Sequence, residues 1–224
     1  MNEMQNFSRR SLLQALCAGA GMALTSPLLA KIHSSKKLTF NNSDFYTGKG
    51  VFKQEAAKDA YIELMRFHKY PVYSDIHKRL RVMDFGRGHF ATMGLAALGF
   101  LNEQVGCYMV QDLFLLPNQY LPEHYHEETA NGPAKMEGWT VRHGLCYAYG
   151  EGPATKPMHA IISPALHTII TVRHETVLHE GQTAHLSRST ARHWLYAGPQ
   201  GAIITEAASY HDKDGMHFTD TKLG

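Results

Sequence analysis

Two histidines separated by one residue are the side chains in this sequence best suited to bind a metal. They are His124 and His126, within the segment 121–126. In a β-strand, side chains two positions apart point to the same face, so both imidazoles can reach one point. The pair alone is weak evidence, because the chain holds 15 histidines. Most of the others, His68 among them, are expected at the surface or in packing contacts.

Two later residues extend this pair to a set of four. Glu137 follows a loop that contains Asn131, Gly132 and Pro133, and His193 follows a turn at Glu180 and Gly181. Three imidazoles and one carboxylate suit a divalent ion such as Mn, Fe, Co, Ni or Zn, and leave open positions for a substrate. Glu128 is the alternative carboxylate.

The rest of the sequence predicts the elements that must position these residues. Apolar residues recur at helical spacing over 54–68, which predicts an amphipathic helix, and 74–80 suggests a second short one. From residue 81 onward, short apolar runs alternate with Gly, Pro and Asn, and this pattern favours a β-sandwich or barrel. The predicted strands include 105–110, 113–116, 161–162, 167–172 and 203–205.

The N-terminal segment reads as an export signal. Arg9 and Arg10 precede a modest apolar stretch, which is the twin-arginine signature. We therefore expect residues 1–30 to be a signal cleaved after Ala30, and the mature protein to be periplasmic. The polar segment 31–52 is interpreted as a linker, and 53–224 as a single domain.

The composition excludes some functions. With 22 Lys and Arg against 20 Asp and Glu, the net charge is +2, which argues against nucleic-acid binding. After residue 30 no apolar run is long enough to span a membrane. Two cysteines remain after the signal, Cys107 and Cys146; a disulfide and two separate thiols are both open.

The order of the chemistry-bearing residues resembles a known family. A strand with His-x-His, a Glu soon after, a Gly turn and a His on another strand is the cupin ligand order. Over about 83–218 the chain resembles the D-lyxose isomerases, metal-dependent cupin sugar isomerases. The matching motifs are 84–90 with Gly94 and Leu95, 115–119 with Pro122, His124 and His126, Lys135-Met136-Glu137, and His193 followed by Glu206-Ala207-Ala208-Ser209. Asp212, Asp214 and Phe218 resemble the family's acidic closing segment.

The resemblance implies a fold, a cofactor and a mechanism. It implies a mainly β protein, a cupin-type barrel (a double-stranded β-helix or jelly roll) with an N-terminal helical segment, and a homodimer. Its metal ligands are His124, His126, Glu137 and His193, and the metal is most often Mn²⁺, with Co²⁺, Fe²⁺, Ni²⁺ and Zn²⁺ as alternatives. Two further residues are catalytic: Lys135 contacts the sugar, and Glu206 moves a proton between C1 and C2.

The sequence also departs from the family and leaves alternatives open. Gly138, the stretch 143–145 and the segment 215–217 differ from the family pattern. The substrate pair is therefore open between D-lyxose/D-xylulose and D-mannose/D-fructose. Two other functions remain: an iron-dependent cupin dioxygenase, and a non-catalytic exported protein that binds a sugar.

Overall fold

The computed structural model describes residues 37–163 and 169–223. The predicted export signal, the first residues of the predicted linker and residues 167–168 of one predicted strand lie outside these ranges. Among the described residues, no helix is long and apolar enough to cross a membrane.

Helix α1 (Gln54–Phe67) confirms the amphipathic pattern of the sequence. Its apolar face buries Ala57, Tyr61, Leu64 and Met65 almost completely. This face belongs to a core cluster that also contains buried residues of the sheet, among them Phe114. The second helix, α2 (Ile76–Arg79), forms one turn within the predicted range.

A curled antiparallel sheet of nine strands forms the rest of the described structure, so the predicted mainly β barrel is confirmed. The strands are β1 (Arg81–Met83), β2 (Leu95–Glu103), β3 (Tyr108–Leu115), β4 (Tyr120–His126), β5 (Glu137–Gly150), β6 (His174–Leu178), β7 (Thr183–His185), β8 (His193–Ala208) and β9 (Met216–Phe218). Strand β8 is the central element, because it pairs with β3, β4 and β5.

The long pair β5–β8 folds back on itself. At one end Glu137 pairs with Ala208 and at the other Tyr149 pairs with Trp194. If the pair were straight, Glu137 and His193 would lie at opposite ends, yet their side chains are 2.5 Å apart. The pairing skips residues 198–201, so the bend lies there. This bend brings the beginnings of β5 and β8 together.

Glycines allow the two strands to approach each other at the bend, which we call the glycine corner (Gly144, Gly198 and Gly201). Gly144 has a φ of +81°, and a Cβ on it would lie 2.2 Å from the carbonyl oxygen of Gly201. Gly201 has a φ of +78°, and a Cβ there would meet the Leu64 side chain at 2.6 Å. Only glycine fits such positions without strain. Helix α1 therefore packs directly on the corner.

Several predicted strands are wrong in place or extent. Val105 is 97% exposed in the turn between β2 and β3, so the predicted strand 105–110 begins only at Tyr108. Residues 161–162 and the described part of 167–172 lie in the long connection between β5 and β6. Apolar runs this short form a strand only where a neighbour supplies backbone hydrogen bonds.

The described part of the predicted linker is packed against the domain. Leu38 and Phe45 are buried in the same core cluster as α1, and a 3₁₀ turn covers Asn42–Phe45. The polar composition of 31–52 concealed these two apolar anchors. Residues 37–52 are therefore part of the domain.

Both remaining cysteines are free thiols. Cys146 lies in the barrel core, where burial raises its pKa to about 12. It therefore behaves as a small apolar side chain at neutral pH.

Candidate metal centre and substrate cavity

His124 and His126 project from β4 to the interior of the barrel. Both are buried, and their rings lie 5.3 Å apart, centroid to centroid. The Nδ1 of His124 lies 2.9 Å from the carbonyl oxygen of Pro122. Because a carbonyl only accepts hydrogen bonds, Nδ1 carries the proton and the Nε2 lone pair is free. The alternation of the strand thus places both imidazoles as the sequence predicted.

His193 faces this pair from the first position of β8. It pairs with His124 across the sheet, and their rings are 4.1 Å apart. Its Nδ1 donates a hydrogen bond of 2.8 Å to the carbonyl of Ala191. His193 therefore also presents an unprotonated Nε2 to the interior.

Glu137, the first residue of β5, completes the group. Its Oε1 lies 2.5 Å from Nε2 of His193 and 3.3 Å from Nε2 of His126. One ligand atom from each of His124, His126, Glu137 and His193 lies within 4.8 Å of the others. The structure thus brings together all four predicted ligands, whereas Glu128 is exposed on the following loop.

The donor set fits a divalent cation. Nε2 of His126, Oε1 of Glu137 and Nε2 of His193 are buried and have no hydrogen-bond partner. Burial, together with the neighbouring His193, lowers the pKa of His124 well below its usual value, so that its imidazole is neutral. Unpaired buried polar atoms are costly in a protein interior unless a ligand satisfies them. Neutral imidazole nitrogens and a carboxylate are what a first-row ion requires.

Lys135 joins this group to a second buried carboxylate. Its Nζ forms ion pairs with both Glu137 and Glu206, and all three side chains are buried. Burial opposes the charge on Lys135, but the two carboxylates outweigh it and raise the pKa of the amine. Lys135 is therefore a permanent cation between the two glutamates.

Glu206 differs from Glu137 in its electrostatic environment. Burial raises the pKa of Glu206, an effect that Lys135 reduces and the charge of Glu137 reinforces. For Glu137, burial is outweighed by Lys135 and His193, and its pKa falls well below the usual value. Two neighbouring carboxylates thus have pKa values shifted in opposite directions, an arrangement suited to proton transfer by the one with the higher pKa.

Glu206 and Lys135 line a cavity of about 180 Å³ inside the barrel. The other polar residues of its wall are Arg81, Gln111 and His211, and the remainder is apolar, including Met83, Phe85 and Leu113. Apart from Lys135 and Glu206, sequence reasoning assigned none of these residues to the site. A strand residue such as Gln111 carries no local signal of its role.

Gln111 lies between Arg81 and the buried carboxylate. Its Oε1 accepts a hydrogen bond of 2.9 Å from Arg81, which turns its Nε2 towards Glu206, 3.4 Å from Oε2. Glu206 is therefore held by Lys135 on one oxygen and faces Gln111 with the other.

His211, which directly precedes the closing residues Asp212 and Asp214, also lines the cavity. Its backbone N–H and carbonyl both bond to the side chain of Asn102. Its Nδ1 is buried without a hydrogen-bond partner. The adjacent Asp212 accepts hydrogen bonds from Thr129 and Asn131, and so ties down the loop after β4. Asp212 does not line the cavity, whereas His211 and Met216 do.

Comparisons with known proteins show which family the chain belongs to. The chain is 32% identical over 167 residues to the D-lyxose ketol-isomerase of Cohnella laeviribosi, covering 75% of this chain and 90% of that protein. The chain belongs to the D-lyxose ketol-isomerase family. A D-lyxose/D-mannose isomerase of Thermosediminibacter oceani is 34% identical over 146 residues, 65% of this chain and 79% of that protein. No family model matches the chain.

Solved structures show the same fold. The L-ribose isomerase of Acinetobacter sp. DL28 superposes with a TM-score of 0.60 at 12% identity, over 82% of this chain and 96% of that one. The L-ribose isomerase of Cellulomonas parahominis gives 0.59 at 12% identity, over 80% and 95%. As a member of the D-lyxose ketol-isomerase family, the protein is a sugar isomerase.

Proposed function

We propose that this protein is a metal-dependent aldose–ketose isomerase that acts on a pentose or hexose of the D-lyxose/D-xylulose or D-mannose/D-fructose type. The named relatives act on D-lyxose and D-mannose. The observation that carries the proposal is a second carboxylate, Glu206, buried in a sugar-sized cavity beside the four-residue metal set. A binding protein would not need such a group.

His124, His126, Glu137 and His193 would hold the ion, for which we propose Mn²⁺, with Co²⁺, Fe²⁺, Ni²⁺ or Zn²⁺ as alternatives. When bound, a divalent ion polarises a carbonyl and stabilises negative charge on neighbouring oxygens.

Glu206 transfers the proton in this mechanism. In the aldose-to-ketose direction the C2–H bond breaks, its proton passes to a carboxylate oxygen of Glu206, and the same proton then forms the new C1–H bond. The raised pKa of Glu206 makes it a stronger base at neutral pH than an exposed carboxylate. The proton of the O2 hydroxyl passes to O1 in the same sequence, so the hydroxyl and the carbonyl exchange places through an enediol.

Lys135 and the apolar wall support this transfer. The ammonium group of Lys135 bonds Glu206, fixes its position and offers a hydrogen bond to a sugar oxygen. Apolar side chains such as Phe85 and Leu113 exclude water, which strengthens these interactions.

A substrate panel tests the proposal. The purified protein is incubated with pentoses and hexoses in the presence of Mn²⁺, and ketose formation is measured alongside oxygen uptake. Ketose without oxygen uptake is the expected result. Oxygen uptake would instead indicate the dioxygenase, and sugar binding without turnover the non-catalytic module; either would contradict the proposal.

Removal of one ligand tests the metal set separately. His193→Ala is expected to lose the bound ion, because the substitution removes one of its four ligands. Metal content per chain, measured by mass spectrometry, checks this, with His179→Ala, an exposed histidine outside the cavity, as the control. An unchanged metal content in His193→Ala would exclude His193 as a ligand. Export by the twin-arginine route to the periplasm and assembly as a homodimer stay predictions from the sequence.

A further inference from the structure

A second group of metal-binding side chains lies at the glycine corner, away from the cavity. It consists of His68, which follows the last residue of α1, His143 of β5, and Glu180 in the turn between β6 and β7. One ligand atom from each lies within 4.8 Å of the others. None of the three lines the cavity that contains Glu206. Three separate elements therefore present ligands to one place.

The two imidazoles are arranged to share a ligand. Their rings are 5.8 Å apart, centroid to centroid, and inclined by only 25°. Nε2 of His68 lies 2.9 Å from the carbonyl of Gln200 and must donate to it. The lone pair of His68 is therefore on Nδ1. A histidine that binds a metal commonly donates its other ring N–H to a carbonyl in this way.

The carboxylate is held in a similar manner. Oε1 of Glu180 accepts a hydrogen bond of 2.9 Å from the backbone N–H of Gly144 at the corner. The second oxygen remains available to a cation.

We propose that His68, His143 and Glu180 form a second divalent-metal site, of the type that binds zinc through two imidazoles and one carboxylate. Three protein ligands leave the fourth position of a tetrahedral ion to water. The ion would tie the end of α1 to the strand corner and to the turn after β6. It would act as a structural ion, since no part of the substrate cavity is within the group.

Stoichiometry tests the proposal. Metal-free protein is dialysed against buffered Zn²⁺, and bound zinc per chain is measured by mass spectrometry. The His193→Ala variant, which lacks one ligand of the central set, is the background, so that the two variants compared differ only at the second site. Bound zinc is expected to fall by one ion per chain when His143→Ala is added to His193→Ala. Equal zinc content in these two variants would overturn the proposal.

Two further measurements test Glu180 as a ligand and the tetrahedral geometry of the second site. Glu180→Gln keeps an oxygen for the Gly144 N–H but loses the charge, so it should weaken zinc binding at least about tenfold without unfolding the protein. His179→Ala, which removes the histidine next to Glu180, is the matched control and should bind as before. Co²⁺ in place of Zn²⁺ should give the intense visible absorption of a tetrahedral site in His193→Ala. An absorption spectrum that His143→Ala does not change would contradict the assignment.

Isomerase activity separates this site from the central one. His143→Ala should retain the wild-type rate on whichever aldose is converted, because the residue touches neither the cavity nor the central ligands. If the rate falls in proportion to the lost zinc, the second ion contributes to catalysis and the proposed structural role is wrong.

Discussion

In the proposed mechanism, Glu206 and Lys135 are the residues that distinguish an isomerase from other proteins with the same metal ligands. Lys135 bonds both Glu137 and Glu206, so one cation orders two carboxylates that would otherwise repel each other. Glu137 faces the imidazoles, whereas Glu206 faces the cavity. The same residue type thus has two roles, which depend on its neighbours.

Glu206→Gln should therefore keep the metal and lose catalysis. The amide preserves the shape of the side chain but cannot accept the proton, and we expect the turnover rate to fall by roughly 10²- to 10⁴-fold. Ketose formation and metal content per chain are measured on the same preparation. Glu128→Gln, at an exposed glutamate of the nearby loop, is the control and should leave both unchanged. A fully active Glu206→Gln would remove this residue from the mechanism.

His211 is the polar group of the cavity wall that has no partner for its buried Nδ1, and a sugar hydroxyl can provide one. His211→Phe keeps a ring of similar size but loses the hydrogen bond. We expect kcat/KM for the preferred sugar to fall about tenfold to a hundredfold, the effect of one or two lost hydrogen bonds.

A series of deoxy sugars checks whether His211 contacts the substrate. Removal of the hydroxyl that it binds should impair the wild-type enzyme but have little effect on His211→Phe, because the contact is already lost. If every deoxy sugar impairs both enzymes equally, His211 does not contact a hydroxyl.

At the scale of elements, the glycine corner determines where the ligands meet. Gly144→Ala places a Cβ against the carbonyl of Gly201 and forces an L-residue into a left-handed conformation. We expect the free energy of unfolding to fall by at least roughly 2 kcal/mol. Urea denaturation measures this. Gly48→Ala, where a Cβ meets nothing within 4 Å, is the control and should be close to neutral.

The sequence predicted some elements well because their signals are local. The amphipathic helix and the shared face of His124 and His126 follow from periodicity alone. The convergence of Glu137 and His193 was inferred from residue types and their order, and no periodicity predicts it, because the bend in β5–β8 depends on which glycines contact each other. Leu38 and Phe45 were missed because the scattered apolar residues of this polar segment have no detectable period.

At the scale of the whole molecule, half-buried histidines are expected to make stability depend on pH. Burial, with Lys135 nearby, lowers the pKa of His211 to about 4, and burial also lowers that of His68. In the unfolded chain both titrate near about 6.5. Between about pH 4 and about pH 6.5 these histidines bind more protons in the unfolded chain than in the folded one. The free energy of unfolding should therefore rise with pH over this range and level off above about 6.5. Glu206, with its raised pKa, contributes a slope of opposite sign.

Urea denaturation of the metal-free protein at pH 5 and pH 7.5 measures this dependence. The wild type should be less stable at pH 5, and His211→Asn should show a smaller difference between the two conditions. His77→Asn, at a partly exposed histidine, is the control. Identical differences in the wild type and His211→Asn would exclude His211 as a source of the effect.

Because β5 and β8 fold back on themselves, the angle of the bend determines how close together the first residues of the two strands lie. Glu137 and His193 each begin a strand, several residues from the pivot, so a small rotation there is magnified into a change of spacing between donor atoms. We therefore expect substitutions at Leu145 or Pro199, next to the bend, to change which ion the four donors of the proposed site prefer, although no donor is altered.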